Sequence, residues 1–352
     1  MLGRMHLFNP LVKIILLNWN KHQDTLECLN SLQHLDYPNL HILLVDNGST
    51  DNTVATVRAQ FPNVHIIENK CNLGYAEGNN VGIRYALEQD AKYVFLLNND
   101  TVVPPSTLKQ LLEVAEANSN IGILCPRIIS YHDHSRQYVG ARILWENGVG
   151  VEIERSPEGL PEFLETDYAP GSALLIRSRV IREIGLLASD FFAYFEDVDW
   201  SLRCRQAGYR VVVVPQAAIF HKGTMDQSDR KSATAEFYFR RNQFLFMRKY
   251  GRWHHWLSFL KFNLRKSLER FQRLVQADEN EIASALLDGW WAGVTGKFGA
   301  QRIHAPAWFK NLVCRQLGFL LWLTGWLYFW EYQKVKRQKT KESQTSAYFH
   351  PE

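Results

Sequence analysis

The side chains best placed to do chemistry fall in three short stretches: Asn98-Asn99-Asp100, Glu196-Asp197-Val198-Asp199, and His221 after an apolar run. Two amides and a carboxylate at the end of "YVFLLNND" are costly to bury without partners. A carboxylate there suits a divalent cation that also binds two phosphates, with Asn98 adding an oxygen. The same residues also make an ordinary strand-end turn. In the second stretch, three crowded carboxylates raise the pKa of at least one of them. A raised carboxyl beside a hydroxyl suits a general base. On a helix Glu196 and Asp199 share a side, while Asp197 is turned by about 100° per residue, so the three cannot all serve one reacting centre. An acidic first turn also favours the helix dipole without any reaction, and Arg203 and Arg205 could pair with these acids. His221 is a candidate metal ligand.

Two further stretches are rich in groups that meet a ligand's polar edge. Asp46 in "VDNGSTD" can accept from a base N–H or a ribose hydroxyl, and equally can close an Asx-turn or cap a helix. "NLGYAEGNN", with Asn72, Gly74 and Asn80, puts glycines and amides before a helix, where backbone can approach an anion. It matches neither a P-loop nor a dinucleotide fingerprint. Asn18 and Asn20 end the first apolar run.

These residues need a frame. Apolar runs at residues 11–17, in "HILLV", "VHII", "AKYVFLL" and "IGILC" alternate with helical patterns such as "DTLECLNSLQHL" and "PPSTLKQLLEVAEAN". A helix is expected over 51–60, capped by Ser49 or Thr50. Continuous apolar strands favour a mostly parallel sheet covered on both faces. Ligands of such sheets sit beyond the carboxyl ends of the strands. Asn18–Asn20, Asp46–Ser49 and Asn98–Asp100 each fall at such an end, and that repeated coincidence points to a site. Residues 131–170 read as irregular or antiparallel strands with a mobile loop, "ERSPEGLPE".

Composition sets the outer limits. The chain has 352 residues, 46% hydrophobic and 22% charged, with a net charge of +4. That is a globular balance and gives no case for nucleic acid as partner. The five Cys are scattered without a C-x-x-C pair, which reads as reduced thiols. The N-terminus lacks a signal-peptide layout.

Beyond residue 230 the pattern turns helical, basic and rich in Trp. "YGRWHHWLSFLKFNLRKSLERFQRL" fits an amphipathic basic helix. "GFLLWLTGWLYFW" is an apolar run of thirteen residues, short of the roughly 20 that span a bilayer, with a basic flank behind it. Attachment to a membrane surface is the favoured reading; an aromatic-rich dimer or domain interface is the other. The expected organisation is an α/β domain over 10–230, a helical membrane-associating region over 231–335, and a disordered basic tail over 336–352.

From Lys13 to Tyr250 the chain resembles family 2 glycosyltransferases of the GT-A fold, in their bacterial rhamnosyltransferase-like branch. The resemblance rests on "NWN", "VDNGSTD", "NLGYAEGNNVGI", "LLNNDTVV", "GSALLIRSRVIREIG", "FFAYFEDVDWSLRCRQAGY" and "FHKG", in that order, with "YFRRNQ" and "LLDGWWAGVTGKFG" after them. It implies inverting transfer of a sugar, rhamnose favoured, from a dTDP- or UDP-sugar to a hydroxyl of a cell-surface glycan; the apolar, basic C-terminal segment adds the expectation of a lipid-linked acceptor at the cytoplasmic face of the cell membrane. The resemblance implies that Asp46 contacts the nucleotide base, and that Asn98-Asn99-Asp100 stands at the DXD position. Asp100 and His221 then hold Mg2+ or Mn2+. Asp197, paired with Glu196, is the implied base, with Asp199 next in line. Gly171 and Ser172 are expected to line the sugar or acceptor pocket, and Trp200 to stack on the acceptor. A nucleotidyltransferase, or a silent nucleotide- or glycan-binding homologue, are the rival readings.

Overall fold

The computed structural model describes residues 9–145, 147–152, 159–223, 232–300 and 302–312. Its elements in chain order are β1 (Val12–Asn18), α1 (His22–Leu32), β2 (Leu40–Asp46), α2 (Thr53–Gln60), β3 (His65–Glu68), α3 (Gly74–Glu88), β4 (Tyr93–Asn98), β5 (Thr101–Val102), α4 (Thr107–Ala117) and β6 (Ile121–Ser130). Then come β7 (Gln137–Tyr138), β8 (Ala141–Leu144), β9 (Val149–Glu152), β10 (Leu164–Glu165), β11 (Ala173–Arg177), α5 (Ser178–Ile184), a 3-10 turn (Ser189–Phe191), α6 (Glu196–Gln206) and β12 (Arg210–His221). Three long helices follow: α7 (Ala233–Tyr250), α8 (Trp253–Gln276) and α9 (Asn280–Thr295).

The main sheet runs in the order β10-β12-β6-β11-β4-β1-β2-β3, with β5 paired to β12 and β7 to β6. The strands β4, β1, β2 and β3 are parallel, as are β6 and β12. The apolar runs make this possible: Val12, Ile14, Ile15 and Leu16 are all fully buried, as strands covered on both faces must be. The short strands β5, β7 and β10 pair antiparallel, and so does one strand in the middle of the sheet. β11 lies between β4 and β6 and is antiparallel to both.

Register carries the polar motifs to one edge. Asn18 pairs with Asp46, and Leu17 with Asn98, so three strand ends lie side by side. The antiparallel β11 starts where β4 stops, with Ala173 opposite Leu97. That places Ser172 beside Asn98, whose N–H donates to the Ser172 carbonyl at 2.9 Å. His221 pairs with Thr101 of β5, which sets it next to Asp100.

Two local expectations change. α2 begins at Thr53, not at residue 51, and neither Ser49 nor Thr50 caps it. Both are committed elsewhere: Ser49 Oγ binds Asp46, and the Thr50 N–H binds Asn20. The stretch expected as a loop over 72–80 is helical from Gly74.

The helices beyond residue 230 share the sheet's core, in which Phe239, Phe244, Phe246, Met247 and Phe259 are buried. Residues 1–303 form one compact unit, and a second unit begins at His304. The change near residue 230 is therefore one of secondary structure, not of packing. α8 forms as its periodicity predicts. Among the described residues no helix is long and apolar enough to cross a membrane. The apolar run at 318–330 and the basic tail over 336–352 lie outside the described residues.

Candidate active site

The first strand ends form a frame, not an open site. Asn18 is fully buried and donates from Nδ2 to Asp46 Oδ1 at 2.8 Å. Asp46 also accepts from Ser49 Oγ at 2.6 Å and from the Ser49 N–H at 2.9 Å. Asn18 Oδ1 accepts from Thr25 at 2.8 Å and from Asn99 at 3.1 Å. These bonds satisfy the groups that the strand ends would otherwise bury at a cost. Asn20, with φ 52°, turns the chain so that its Oδ1 meets the Thr50 N–H at 2.7 Å.

The Asn72–Asn80 stretch also works inward. Asn80 clamps Leu187 by accepting from its N–H and donating to its carbonyl, at 3.0 and 2.9 Å. Asn72 Oδ1 accepts from the Gly74 N–H at 2.8 Å and from Asn47 at 3.0 Å. Gly74 has φ +81°, and a Cβ there would stand 2.5 Å from Phe192, so only glycine fits. Asn47, which the sequence did not single out, joins β2 to the start of α3 through Asn72 and the Gly74 carbonyl.

Seven of the expected residues do line one cleft of about 990 Å³: Asn98, Asp100, Gly171, Ser172, Glu196, Asp197 and His221. That volume matches a sizeable small-molecule ligand. Asp100 lies mostly buried, and its Oδ1 stands 3.2 Å from His221 Nε2. Burial pushes the Asp100 carboxyl up, but contact with His221 outweighs it and holds the pKa below its usual value. Two ligand atoms at right angles about a cation with bonds of ~2.1 Å would be ~3.0 Å apart, so the pair suits a small divalent ion. Gly223 keeps the adjoining space open, because a Cβ there would stand 2.9 Å from His221 Nε2 and 3.0 Å from Asp100 Oδ2. Among the described residues no cluster of three or more His, Cys, Asp or Glu could hold a metal. The pair would therefore need oxygens from a ligand or water, as such cations commonly take. Lys222 is fixed beside it, its N–H donating to the Asp100 carbonyl at 3.0 Å and its Nζ to Asp24 at 2.9 Å.

Across the cleft, Asp197 accepts from the Gly171 N–H at 2.9 Å and from the Val198 N–H at 2.8 Å. Burial still raises its pKa against those bonds. Glu196 is raised further, first by burial and then by the charge of Asp197. Its Oε2 is buried with no hydrogen-bond partner. Tyr75, also missed at the outset, donates from its hydroxyl to the Gly171 carbonyl. A Cβ at Gly171 would stand 2.8 Å from that hydroxyl, so a side chain there would displace Tyr75.

The acid pair follows a strained turn. Phe192, Tyr194 and Phe195 have φ of 63°, 70° and 75°, each costing about 1–3 kcal/mol in a bulky residue. The Ala193 N–H reaches the Phe191 carbonyl at 2.7 Å, closing a γ-turn of the rare hand. Such strain collects at functional sites.

Two expected site residues point away from the cleft. Asp199 is fully buried, accepting from Arg203 Nε at 2.9 Å, from the Tyr250 hydroxyl at 2.7 Å and from Lys249 Nζ. With its oxygens taken, it is no base. Trp200 is fully buried, with Nε1 donating to the Gly185 carbonyl at 2.8 Å. It is a core residue and cannot stack on an acceptor.

The chain has counterparts among known proteins. Residues 13–185 match the model described as Glycosyl transferase family 2. A low-salt glycan biosynthesis hexosyltransferase of Haloferax volcanii is 24% identical over 66% of this chain and 74% of that protein. The dTDP-rhamnosyl transferase of Shigella flexneri is 27% identical over 68% of this chain and 81% of its own length. An N-acetylglucosaminyl-diphospho-decaprenol L-rhamnosyltransferase of Mycobacterium tuberculosis is 29% identical over 64% and 80%. Among solved structures, a mannosyltransferase of Pyrobaculum calidifontis in complex with GDP-Man and Mn2+ aligns with a TM-score of 0.52 and 17% identity over 90% of this chain and 81% of that one. GalNAc-T7, crystallised with UDP, GalNAc and Mn2+, aligns at 0.54 and 14% identity over 66% of this chain and 47% of its own. Those two likenesses concern the GT-A fold. The chain is thus a glycosyltransferase, and its residues 13–185 match the glycosyl transferase family 2 model.

Proposed function

We propose that this chain moves a sugar, rhamnose by preference, from a dTDP- or UDP-sugar to a hydroxyl of a cell-surface glycan or lipid-linked acceptor, with inversion. One observation carries the reading: Asp100 and His221 open on the same cleft as Glu196 and Asp197. Rhamnose is favoured because two of the relatives are named rhamnosyl transferases.

The chemistry follows from the placement. The acceptor oxygen attacks the anomeric carbon as the bond from that carbon to the diphosphate oxygen breaks. Asp197 takes the acceptor proton, and the electron pair leaves with the diphosphate. A divalent cation held by Asp100 and His221 would supply positive charge for the departing diphosphate. Gly171 and Tyr75 keep Asp197 aimed. Burial and the charge of Asp197 both push the Glu196 carboxyl up, so the crowded pair resists carrying two charges at once.

Attachment to the cytoplasmic face of the cell membrane belongs to the same reading. Trp253, Leu257, Leu260 and Leu264 of α8 are exposed and fall on one stripe by helical spacing, with Lys261 and Arg265 beside them. A lipid-linked acceptor would explain such a stripe. If the full chain fails to float with vesicles of anionic lipid, that part is withdrawn.

The test of the whole is thermal stability with dTDP, UDP or GDP, each with Mn2+, Mg2+ or neither. A nucleotide at 100 times its Kd should add about 2.7 kcal/mol. Metal-dependent stabilisation by one nucleotide is expected and narrows the donor. A flat response to all of them would sink the transferase reading in this form.

A further inference from the structure

Residues 190–195 are the segment least compatible with ordinary backbone preference, and they end one peptide before Glu196. The hydrogen bonds that hold them in this form come largely from α7. Asn242 is fully buried and aims Nδ2 at three carbonyls: Phe191 at 2.9 Å, Ala193 at 2.7 Å and Tyr194 at 2.8 Å. Arg241, also fully buried, donates from Nη2 to Asp190 and Phe191 carbonyls at 2.9 and 2.8 Å, and from Nη1 to the Gly299 carbonyl. Its Nε donates to Asn242 Oδ1 at 2.9 Å. That bond settles the orientation of the amide, since only the oxygen can accept from Arg241 and only the NH2 can serve the carbonyls. The other face of the turn rests on α3, where the Ala76 N–H meets the Phe192 carbonyl at 3.0 Å.

We infer that Asn242, oriented by Arg241, is a positioning residue for sugar transfer: it holds the Phe191–Phe195 turn in the form that delivers Asp197 to the cleft. The inference rests on the reading of Asp197 as the base. The first turn of α6 starts from the left-handed Phe195, so the direction in which Asp197 points depends on that residue's backbone. Without the amide, the Ala193 and Tyr194 carbonyls lose the donor that draws them together, while the Phe191 carbonyl keeps Arg241 and the Ala193 N–H. The turn then relaxes toward negative φ, and Asp197 leaves its bond to Gly171 for water. Around Asp197 lie Glu196 on its own helix, the Gly171 and Val198 N–H groups it accepts from, and Tyr75 of α3 behind Gly171, while Asp100, His132, Asp133, Arg136, His221 and Lys222 line the same cleft. Changing Asn242 removes none of them, so a shift in the titration of Asp197 reports its place.

The test is Asn242→Leu in the full chain, which nearly keeps the size of the side chain and removes the donor without adding a charge. Aspartate carboxyls are labelled with carbon-13, Asp197→Asn identifies the signal, and its titration is followed by NMR. In the variant the Asp197 signal is expected to titrate closer to an ordinary aspartate than in the parent. With a donor sugar, kcat is expected to fall about 100-fold, as a base misplaced by about an ångström would give, with the donor KM little changed. Arg241→Lys keeps the charge but loses the bond that orients the amide, and should shift the signal the same way by less. An unmoved Asp197 titration in both folded variants overturns the inference. So does failure of both variants to fold, because Asn242 then serves stability alone. If the signal moves but the parent transfers no sugar, the positioning stands and the transferase reading falls.

Discussion

Asp100 Oδ1 and His221 Nε2 face each other at 3.2 Å, although one follows β4 and the other ends β12. The short strand β5 makes the meeting possible, since Thr101 pairs with His221 and fixes the level at which the two ends arrive. The half of the cleft proposed to hold a cation is therefore assembled by strand pairing across 121 positions of sequence.

Loss of either group should separate metal effects from nucleotide effects. With Asp100→Ala or His221→Ala, stabilisation by nucleotide alone is expected to survive, while the extra stabilisation on adding Mn2+ disappears. Transfer should fall by about 10²–10³-fold, the usual size for losing one group that stabilises developing charge. Thermal melts with and without metal check this, and an undiminished Mn2+ effect in both variants would count against the ligand pair.

Gly223 offers a subtler test. A methyl group there would occupy space facing both Asp100 and His221. Gly223→Ala is expected to weaken the apparent affinity for Mn2+ tenfold or more, beyond the modest fall in metal-free melting temperature that crowding of the His221 ring brings. Metal titration of the nucleotide complex is the measurement.

The acid pair predicts two opposite dependences on pH. Asp197 must be ionised to accept a proton, and its pKa is raised. The acid limb of the rate profile should therefore lie above the ordinary aspartate range. Stability runs the other way. For a carboxyl raised in the folded state, unfolding releases a proton at any pH between its unfolded and folded pKa values, so stability falls as pH rises through that window. Glu196 is raised well above its usual value. Glu196→Gln should accordingly raise the melting temperature near neutral pH, with the gain vanishing below about pH 4. A gain that persisted in acid would point to packing instead.

Asp199 should behave as structure. Asp199→Asn leaves Lys249 and Arg203 without their counter-charge, yet Lys249 reaches solvent, so the loss is expected to be moderate, about 1–3 kcal/mol. Trp200→Phe should likewise lower stability without raising the acceptor KM. Denaturant unfolding beside steady-state kinetics distinguishes these from Asp197→Asn, which should remove turnover and leave the fold intact.

Much of the site was legible in the sequence because parallel strands deliver their ends to one edge. Asn98, Asp100 and His221 follow apolar runs whose length and composition mark them as buried strands, and Gly171, Ser172 and the acid pair came with the motif order. What was not legible depended on orientation. Asp199 and Trp200 sit one turn from Glu196, and helical spacing alone does not say which face meets the cleft and which meets α7. The amides at Asn18, Asn72, Asn80 and Asn99 looked like ligand contacts because ligand amides and framework amides have the same composition. Only their partners tell them apart. Tyr75 was missed because an aromatic after a glycine reads as core, and its bond to the Gly171 carbonyl spans 96 residues. The antiparallel course of β11 was hidden for a related reason: a short buried strand of five apolar or stem-bearing residues reads the same in either direction.

The burial of α7 in the sheet's core sets a condition on how the chain is made. Lys249 and Tyr250 hold Asp199, and Arg241 and Asn242 hold the turn before Glu196, so the reactive half of the molecule is unfinished when the ribosome has translated only its sheet. A nascent chain stalled at residue 230 is expected to expose Phe195, Trp200 and their neighbours to chaperones and proteases. One stalled late enough for α7 to leave the exit tunnel should begin to resist cleavage at the 190–195 turn, so that the catalytic centre matures late in synthesis.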